Sequence, residues 1–172
     1  MAKVLVIRLS AIGDVAMTVP VIYSAAKANP EDSFTVLTQA FLMPLFMNRP
    51  PNVEVIGINT KGAEKGLIGL LKFISALLKF DFDVILDLHN VIRTIIICTF
   101  FRLNGKRVFV LDKARKERKR LTAIKGKRLY PLRPVIVRYA DVFRAAGLNY
   151  TETFTSLYEE SPAELSGMAS VA

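Results

Sequence analysis

The sequence predicts an α/β protein whose core is a doubly wound parallel sheet, covered by helices on both faces. Three observations lead to this prediction. Five short runs of apolar and β-branched residues recur along the chain, helix-like segments separate them, and each run is nearly continuously apolar. Strands that are buried on both faces have this continuous pattern. Alternation of strands with helices gives right-handed crossovers between parallel strands.

The individual elements follow from the same patterns. The predicted strands are residues 3–8, 33–38, 53–58, 83–87 and 106–110. The predicted helices are approximately residues 15–28, 41–47, 65–80, 90–103 and 134–146. Pro20 is compatible with the first helix if that helix begins late, near Ala16 or Met17, because amides of the first turn need no intrahelical partner. Gly147 is expected to close the last helix as its C′ residue.

The apolar runs and the cysteine content restrict the class of protein. Residues 67–80 and 91–103 are the longest apolar runs, and both are interrupted by Lys or Arg. They are too short to span a bilayer core of about 30 Å, so we expect them to form buried helices. No signal-peptide pattern precedes the first strand, and Cys98 is the only cysteine. These features predict a cytoplasmic protein in a reducing compartment, without a disulfide or a cysteine-based metal site.

The positive charge is concentrated in one stretch. Residues 113–133 contain ten Lys or Arg and one Glu, a net charge of +9, which equals the net charge of the whole chain. A concentration of this kind favours an anionic partner. Three interpretations remain open: a solvated charged helix, a nucleic-acid surface, or a surface for an anionic small molecule or lipid. Nucleic acid is the least favoured, because no aromatic residues interleave the basic ones over residues 113–128.

Ligands of open parallel sheets bind outside the carboxyl ends of the strands, and this rule sorts the polar residues. At the carboxyl edge we expect residues 8–14, 38–39, 59–61, 87–93 and 112–113. At the opposite edge we expect Lys3, Asp32, Asn52, Asp81 and Lys106. Asp14 and Asp87 therefore lie at the edge where ligands bind, whereas Asp81 and Asp83 are predicted to be turn residues.

Asp14 follows the first strand in the segment VLVIRLSAIGDVAMTVP, residues 4–20. A dinucleotide fingerprint and a P-loop are excluded there, because Gly13 is the only glycine and no Gly-Lys-Ser/Thr follows. Asp14 either stabilises the N-terminus of a helix or acts as a base. Ser10 and Gly13 belong to the same short loop, whose backbone amides are placed to approach a ligand.

Two motifs in this sequence resemble those of the heptosyltransferases, glycosyltransferase family 9. Residues 8–14, RLSAIGD, followed by Thr18-Val19-Pro20, resemble the family's N-terminal strand, its Arg-Leu-Ser-Ser-Leu-Gly-Asp turn and its Thr-Leu-Pro. Residues 87–93, DLHNVIR, resemble its Asp-Leu-His-x-x-x-Arg segment. The resemblance covers about residues 3–150.

The resemblance implies the N-terminal half of a GT-B glycosyltransferase, with residues 1–150 as a Rossmann-like acceptor-binding domain. Residues 151–172 would be a linker or truncated edge toward a donor-binding domain. In such an enzyme Asp14 would be the general base of an inverting, metal-independent transfer of heptose from ADP-heptose to the lipopolysaccharide inner core. No cofactor is expected. The donor would bind mainly to the C-terminal half, which has no counterpart in this sequence, so we expect the chain alone to be inactive.

The remaining site residues are assigned to the acceptor. His89, the only histidine, is either a structural hydrogen-bonding residue or an acceptor contact, and Arg93 lies where it would meet an anionic acceptor. With the resemblance taken into account, the basic run is expected to face the acceptor's carboxylates and phosphates through Lys116, Lys119 and Arg120. It would also meet the inner face of the cytoplasmic membrane, with the protein peripherally bound. The alternative is a non-catalytic basic α/β module that binds anionic glycolipid or nucleic acid.

Overall fold

A single parallel sheet forms the centre of the molecule in the computed structural model, which describes residues 1–62, 64–121 and 131–157. Its strands are β1 (Lys3–Ile7), β2 (Ser33–Gln39), β3 (Val53–Ile58), β4 (Val84–Asp87) and β5 (Arg107–Val110). They are ordered β3-β2-β1-β4-β5, and every neighbouring pair is parallel. The predicted Rossmann-like fold class is therefore confirmed, and each strand lies within one residue of its predicted bounds.

Helices cover both faces of the sheet. They are α1 (Ile12–Ala16), α2 (Val19–Ala28), α3 (Gly66–Leu78), α4 (Ile92–Leu103), α5 (Arg115–Leu121) and α6 (Val135–Ala145), with a 3₁₀ helix at Ala40–Phe46. Alternate side chains of β1 point to opposite faces: Val4 and Val6 pack with α2 and α6, and Leu5 and Ile7 pack with α3 and α4. Because β1 is buried on both faces, its sequence is continuously apolar.

The first helical region differs from the prediction. A short α1 begins at Ile12 and ends at Ala16, and α2 begins at Val19, with Pro20 in its first turn. The break lies at Thr18, whose hydroxyl donates to the carbonyl of Val15 at 2.6 Å. A late start was predicted because of Pro20, and it applies to α2. The prediction missed the separate turn that carries Asp14.

The segment at residues 41–47 differs from its prediction, whereas the end of α6 agrees with it. The predicted helix at residues 41–47 is a 3₁₀ helix that contains Pro44, which has no amide to donate to a longer helix. At the end of α6, Gly147 has φ +84°, and Leu148 donates to the carbonyl of Phe143 at 3.2 Å. This is the Schellman arrangement, which needs a left-handed residue at C′, so the predicted role of Gly147 is confirmed.

The α3 helix is less buried than its sequence predicted. Among its thirteen residues only Leu70, Ile74 and Leu77 are buried. The expectation that residues 67–80 form a buried helix is therefore wrong for the outer side of α3.

Within the described ranges, no helix combines the length and the apolar character needed to cross a lipid bilayer.

The start of the C-terminal segment lies along α2. The amides of Thr153 and Phe154 donate to Ser24 Oγ at 3.1 Å, and the Phe154 ring contacts the Tyr23 ring at a centroid distance of 6.1 Å. Residues 158–172, the rest of the predicted linker, lie outside the described residues. The described part, residues 151–157, is docked against the domain.

The connection order creates a crevice at the carboxyl edge. From β1 the chain proceeds to β2 and β3 on one side, and α3 then crosses over so that β4 and β5 are added on the other side. The strand order thus reverses between β1 and β4. In doubly wound sheets the loops that follow such strands diverge there and leave room for a ligand.

Candidate active site

A cavity of about 330 Å³ opens at this reversal point. Its polar lining comes from four parts of the chain: the segment after β1, the loops after β4 and β5, and α6. These side chains are Arg8, Ser10, Asp14, His89, Lys113, Arg138 and Tyr139. The structure therefore brings the predicted residues Ser10, Asp14 and His89 together at one site.

Asp14 lies in the first turn of α1, where the helix dipole favours a carboxylate, and it is also held by a side chain. The N-cap residue of α1 is Ala11, and no side chain caps that helix. Asp14 Oδ2 instead accepts a hydrogen bond from Nη2 of Arg8, in an ion pair. The Asp14 side chain is 41% exposed, so the pair leaves its carboxylate accessible from the cavity.

Arg8 is a buried positioning group. Its residue exposure is 6%, and its Nη1 donates to the carbonyl of Leu88 at 2.6 Å. Its guanidinium carbon lies 5.9 Å from the ring centroid of Tyr139, within the range of a cation–π contact. Two contacts, with the loop after β4 and with α6, therefore fix the Arg8 guanidinium, and Arg8 in turn fixes the direction of the Asp14 carboxylate.

His89 is neutral in this environment. Burial lowers its pKa to about 4, and the positive charges of Arg8 and Lys113 act in the same direction. Its Nε2 lies 3.3 Å from Ser10 Oγ, while its Nδ1 is buried without a hydrogen-bond partner among the described residues. A neutral imidazole has one donor and one acceptor nitrogen, so His89 offers a ligand a single polar contact of either kind.

Unpartnered polar atoms are concentrated at the cavity. Five buried side-chain nitrogen or oxygen atoms lack a hydrogen-bond partner in the described part of the chain. Three of these atoms, Arg8 Nε, His89 Nδ1 and Tyr139 Oη, belong to residues that line the cavity. Buried polar groups are normally hydrogen-bonded, so this concentration indicates a place where a polar ligand or ordered water completes the structure.

Asp87 has a structural role, although it lies at the edge where ligands bind. It is fully buried, and its Oδ1 accepts from the amides of His89 and Asn90 at 2.9 and 2.8 Å. Its Oδ2 accepts from the hydroxyl of Thr94 at 2.8 Å. The carboxylate of Asp87 therefore shapes the loop that delivers His89 to the cavity.

The other predicted acceptor residues whose side chains the structure describes do not line the cavity. Gly13 lies in α1, and a Cβ added to it would meet no atom within 4 Å. Arg93 does not line the cavity, and its Nη1 is buried without a partner in the described ranges. Lys119 and Arg120 are exposed on α5 and also do not line the cavity, while the side chain of Lys116 lies outside what the structure describes.

Sequence analysis missed the contribution of α6. Arg138 and Tyr139 form one wall of the cavity, although they lie about 125 residues after Asp14 in the chain. The Arg138 guanidinium donates to the carbonyl of Asp112, which ties α6 to the loop after β5. The available signal was helical spacing, because Val135, Arg138 and Tyr139 are three and four residues apart and share one face.

Within the described ranges, no three His, Cys, Asp or Glu side chains come together as a possible metal site.

A second cavity of about 250 Å³ lies between β5 and α6. Its acidic and basic side chains include the pair Arg133–Asp141, whose charged atoms are 2.7 Å apart.

Comparison with known proteins adds evidence on the fold. No protein-family model and no curated protein matches the sequence. Among solved structures, a family 9 glycosyltransferase from Veillonella parvula DSM 2008 matches with 21% identity and a TM-score of 0.62, over 86% of this chain and 42% of that one. The E. coli heptosyltransferase WaaC, solved with ADP, matches with 22% identity and a TM-score of 0.59, over 90% and 49%.

A third match is E. coli ADP-heptose LPS heptosyltransferase II, with 20% identity and a TM-score of 0.58, over 96% of this chain and 49% of that one. The chain thus spans about half the length of the structures that it matches. The resemblance found in the motifs at residues 8–20 and 87–93 is confirmed at the level of the fold: this chain has the Rossmann-like fold of about half of a family 9 glycosyltransferase.

Proposed function

We propose that this chain is the acceptor-binding half of an inverting glycosyltransferase of the heptosyltransferase type. The observation that supports the proposal most strongly is the Asp14 carboxylate, which is exposed to a cavity lined by cations and is held there by the buried Arg8. Two of the matching structures are named heptosyltransferases, and one name specifies ADP-heptose. We therefore propose heptose from ADP-heptose as the transferred sugar.

Asp14 would act as the general base. A sugar hydroxyl is a weak nucleophile, and a carboxylate within hydrogen-bond reach accepts its proton as the oxygen attacks the anomeric carbon. Arg8 occupies Oδ2 of Asp14, so Oδ1 is the atom left for the acceptor hydroxyl. The attack displaces the nucleoside diphosphate in a single step. This leaving group needs charge stabilisation more than a proton, so the proposed mechanism requires no second carboxylate and no metal.

The cavity suits an acceptor that carries acidic groups. Arg8, Lys113 and Arg138 contribute three positive charges to its lining, and Asp14 contributes the only negative one. Arg8 and Asp14 form an ion pair, and the net positive charge of the lining, to which Lys113 and Arg138 contribute, would attract carboxylates or phosphates. The sugar acids and phosphates of the lipopolysaccharide inner core have this chemistry. Ser10 lines the cavity, and its hydroxyl would hydrogen-bond to a hydroxyl of such a sugar.

A non-catalytic binding module is the less favoured alternative. A protein that only holds an anion does not need an accessible carboxylate in the binding cavity, whereas a general base does. The acceptor is anchored in a membrane in the proposed function. We therefore also propose that the protein works in the cytoplasm, at the inner face of the membrane, with the basic residues 113–133 near the lipid headgroups.

The substitution Asp14→Asn tests the proposed function. It is made in a polypeptide that joins this chain to a donor-binding half. Asn keeps the shape and still accepts a hydrogen bond from Arg8, but it is not a base. We expect transfer to fall by about 10²–10⁴-fold, with the KM for the acceptor nearly unchanged.

The matched control is Asp81→Asn, at the opposite edge of the sheet, where the side chain is 77% exposed. It makes the same chemical change and should leave transfer unaltered. Turnover near the wild-type rate in a folded Asp14→Asn protein would exclude Asp14 as the base.

A further inference from the structure

The outer side of α3 is an apolar surface without a protein partner among the described residues. Leu67, Ile68 and Leu71 are 60%, 74% and 36% exposed, although large aliphatic side chains are normally buried. They lie in the first two turns of the helix. Those turns begin at the carboxyl edge of the sheet, because α3 follows β3 in a parallel arrangement.

The neighbouring helix extends this surface. The α4 helix packs against α3 on the same face of the sheet, and it also begins at the carboxyl edge. Its first turn and a half exposes Ile92 and Ile95, at 80% and 46%. We call the surface formed by Leu67, Ile68, Leu71, Ile92 and Ile95 the α3–α4 face. Five aliphatic side chains in two adjacent helices are more than the isolated apolar residues of an ordinary surface.

Three lysines flank this face, while Glu64, just before α3, accepts from the amide of Asn59 at 2.8 Å. Lys65, Lys72 and Lys79 are exposed and recur every seven residues, so they form a stripe along one side of α3. No Asp or Glu lies within α3 or α4, and none of the three lysines has an ion-pair partner in the described part of the chain. The face therefore combines aliphatic side chains with unneutralised positive charge.

We propose that the α3–α4 face docks on an anionic lipid bilayer. Interfacial helices have aliphatic residues on one side and Lys or Arg beside them, since the lysine stems lie along the apolar region while the ammonium groups reach lipid phosphates. A protein partner is less suited, because the cores of protein interfaces are depleted in lysine. Docking here would place the carboxyl edge, with its cavity, close to the membrane. The link to a lipid-anchored acceptor rests on the proposed function, whereas the docking itself does not.

Vesicle binding tests this inference without any sugar substrate. The purified chain is sedimented with vesicles of phosphatidylcholine containing phosphatidylglycerol, and with vesicles of phosphatidylcholine alone. We expect binding to the anionic vesicles that weakens in high salt. The double variant Leu67→Ser with Ile68→Ser should weaken this binding by about tenfold or more, because two aliphatic side chains no longer leave water. Replacing Lys72 by Gln should weaken it about fivefold.

The double variant leaves every charge in place, so the contribution of the basic residues 113–133 is unchanged. The matched control is Leu103→Ser, at a side chain that is 78% exposed at the end of α4, at the opposite edge of the sheet. It should bind vesicles as the wild type does. Thermal unfolding of all variants checks that they are folded.

Three results would overturn the inference. The first is a wild-type chain that does not bind anionic vesicles, and the second is equal binding by the wild type and the folded double variant. The third is a dimeric wild type that becomes monomeric in the double variant while vesicle binding stays the same. That result would assign the α3–α4 face to contacts between copies of the chain.

Discussion

The ion pair between Arg8 and Asp14 determines how the Asp14 carboxylate is held. A carboxylate that caps a helix has its oxygens occupied by backbone amides. In this protein the cap position is Ala11, and Asp14 bonds to a guanidinium that is itself fixed by Leu88 and Tyr139. Asp14 was a candidate for a helix-capping residue. In the structure it is a fixed, accessible carboxylate that lines the cavity.

His89 gives a pH dependence of stability. Burial and the charges of Arg8 and Lys113 lower its pKa to about 4, against an ordinary value of 6.5. Between these two values the unfolded chain binds a proton that the folded chain does not. The free energy of unfolding should therefore fall as the pH drops from about 6.5 to about 4, by up to about 3 kcal/mol from this residue.

Denaturant unfolding across this pH range measures the effect, and His89→Gln is the comparison. The variant should lack the part of the slope that is due to His89. An NMR titration of His89 gives the pKa directly, and a value near 6.5 would contradict the described environment.

At the scale of the elements, α6 completes the site. Its Tyr139 is fully buried beside Arg8, and the Tyr139 hydroxyl has no partner in the described ranges. A buried hydroxyl without a hydrogen bond lowers stability. Tyr139→Phe should therefore raise the free energy of unfolding of the ligand-free chain by about 1 kcal/mol. A loss of stability of similar size in urea unfolding would mean that the hydroxyl is already satisfied.

The strands were predictable from sequence because a doubly buried strand has no polar positions. The bounds of α1 and α2 were not, because the break at Thr18 depends on one hydrogen bond from its side chain to the Val15 carbonyl. Local pattern also could not show that α3 covers the sheet with only one narrow side. Its outer apolar residues look the same in sequence as its core residues.

The part of the candidate site that lies in the loops after parallel strands was predictable from sequence. Polar residues after parallel strands meet at the carboxyl edge, so Ser10, Asp14 and His89 were expected together, and the cavity contains all three. Arg138 and Tyr139 come from a helix that returns over that edge, and no local pattern gives the path of this return. The assignments of Arg93, Lys119 and Arg120 to the acceptor stay predictions.

At the scale of the whole molecule, the cavity and the α3–α4 face belong to one edge of the sheet. The cavity lies where the strand order reverses, and the exposed aliphatic residues lie in the first turns of two helices that begin at the same edge. The proposed acceptor has an anionic sugar joined to a lipid. A basic cavity at the same edge of the sheet as an apolar, basic surface matches both parts of such a molecule.

The central claim is that this chain binds the acceptor and that the donor binds elsewhere. Residues 8–11, between β1 and α1, contain no glycine, so they do not form the glycine-rich turn at a helix N-terminus that cradles the diphosphate of a nucleotide sugar. Calorimetry on the purified chain compares an inner-core acceptor saccharide with ADP-heptose. Arg138→Gln removes a charge from the cavity, and Arg107→Gln makes the same change at the opposite edge of the sheet.

We predict stoichiometric binding of the acceptor, about tenfold weaker in Arg138→Gln and unchanged in Arg107→Gln. ADP-heptose should bind no more tightly than about millimolar. A stoichiometric, micromolar ADP-heptose site together with no binding of the acceptor would contradict this account, because the nucleotide sugar would then occupy the half of the enzyme that we assign to the acceptor.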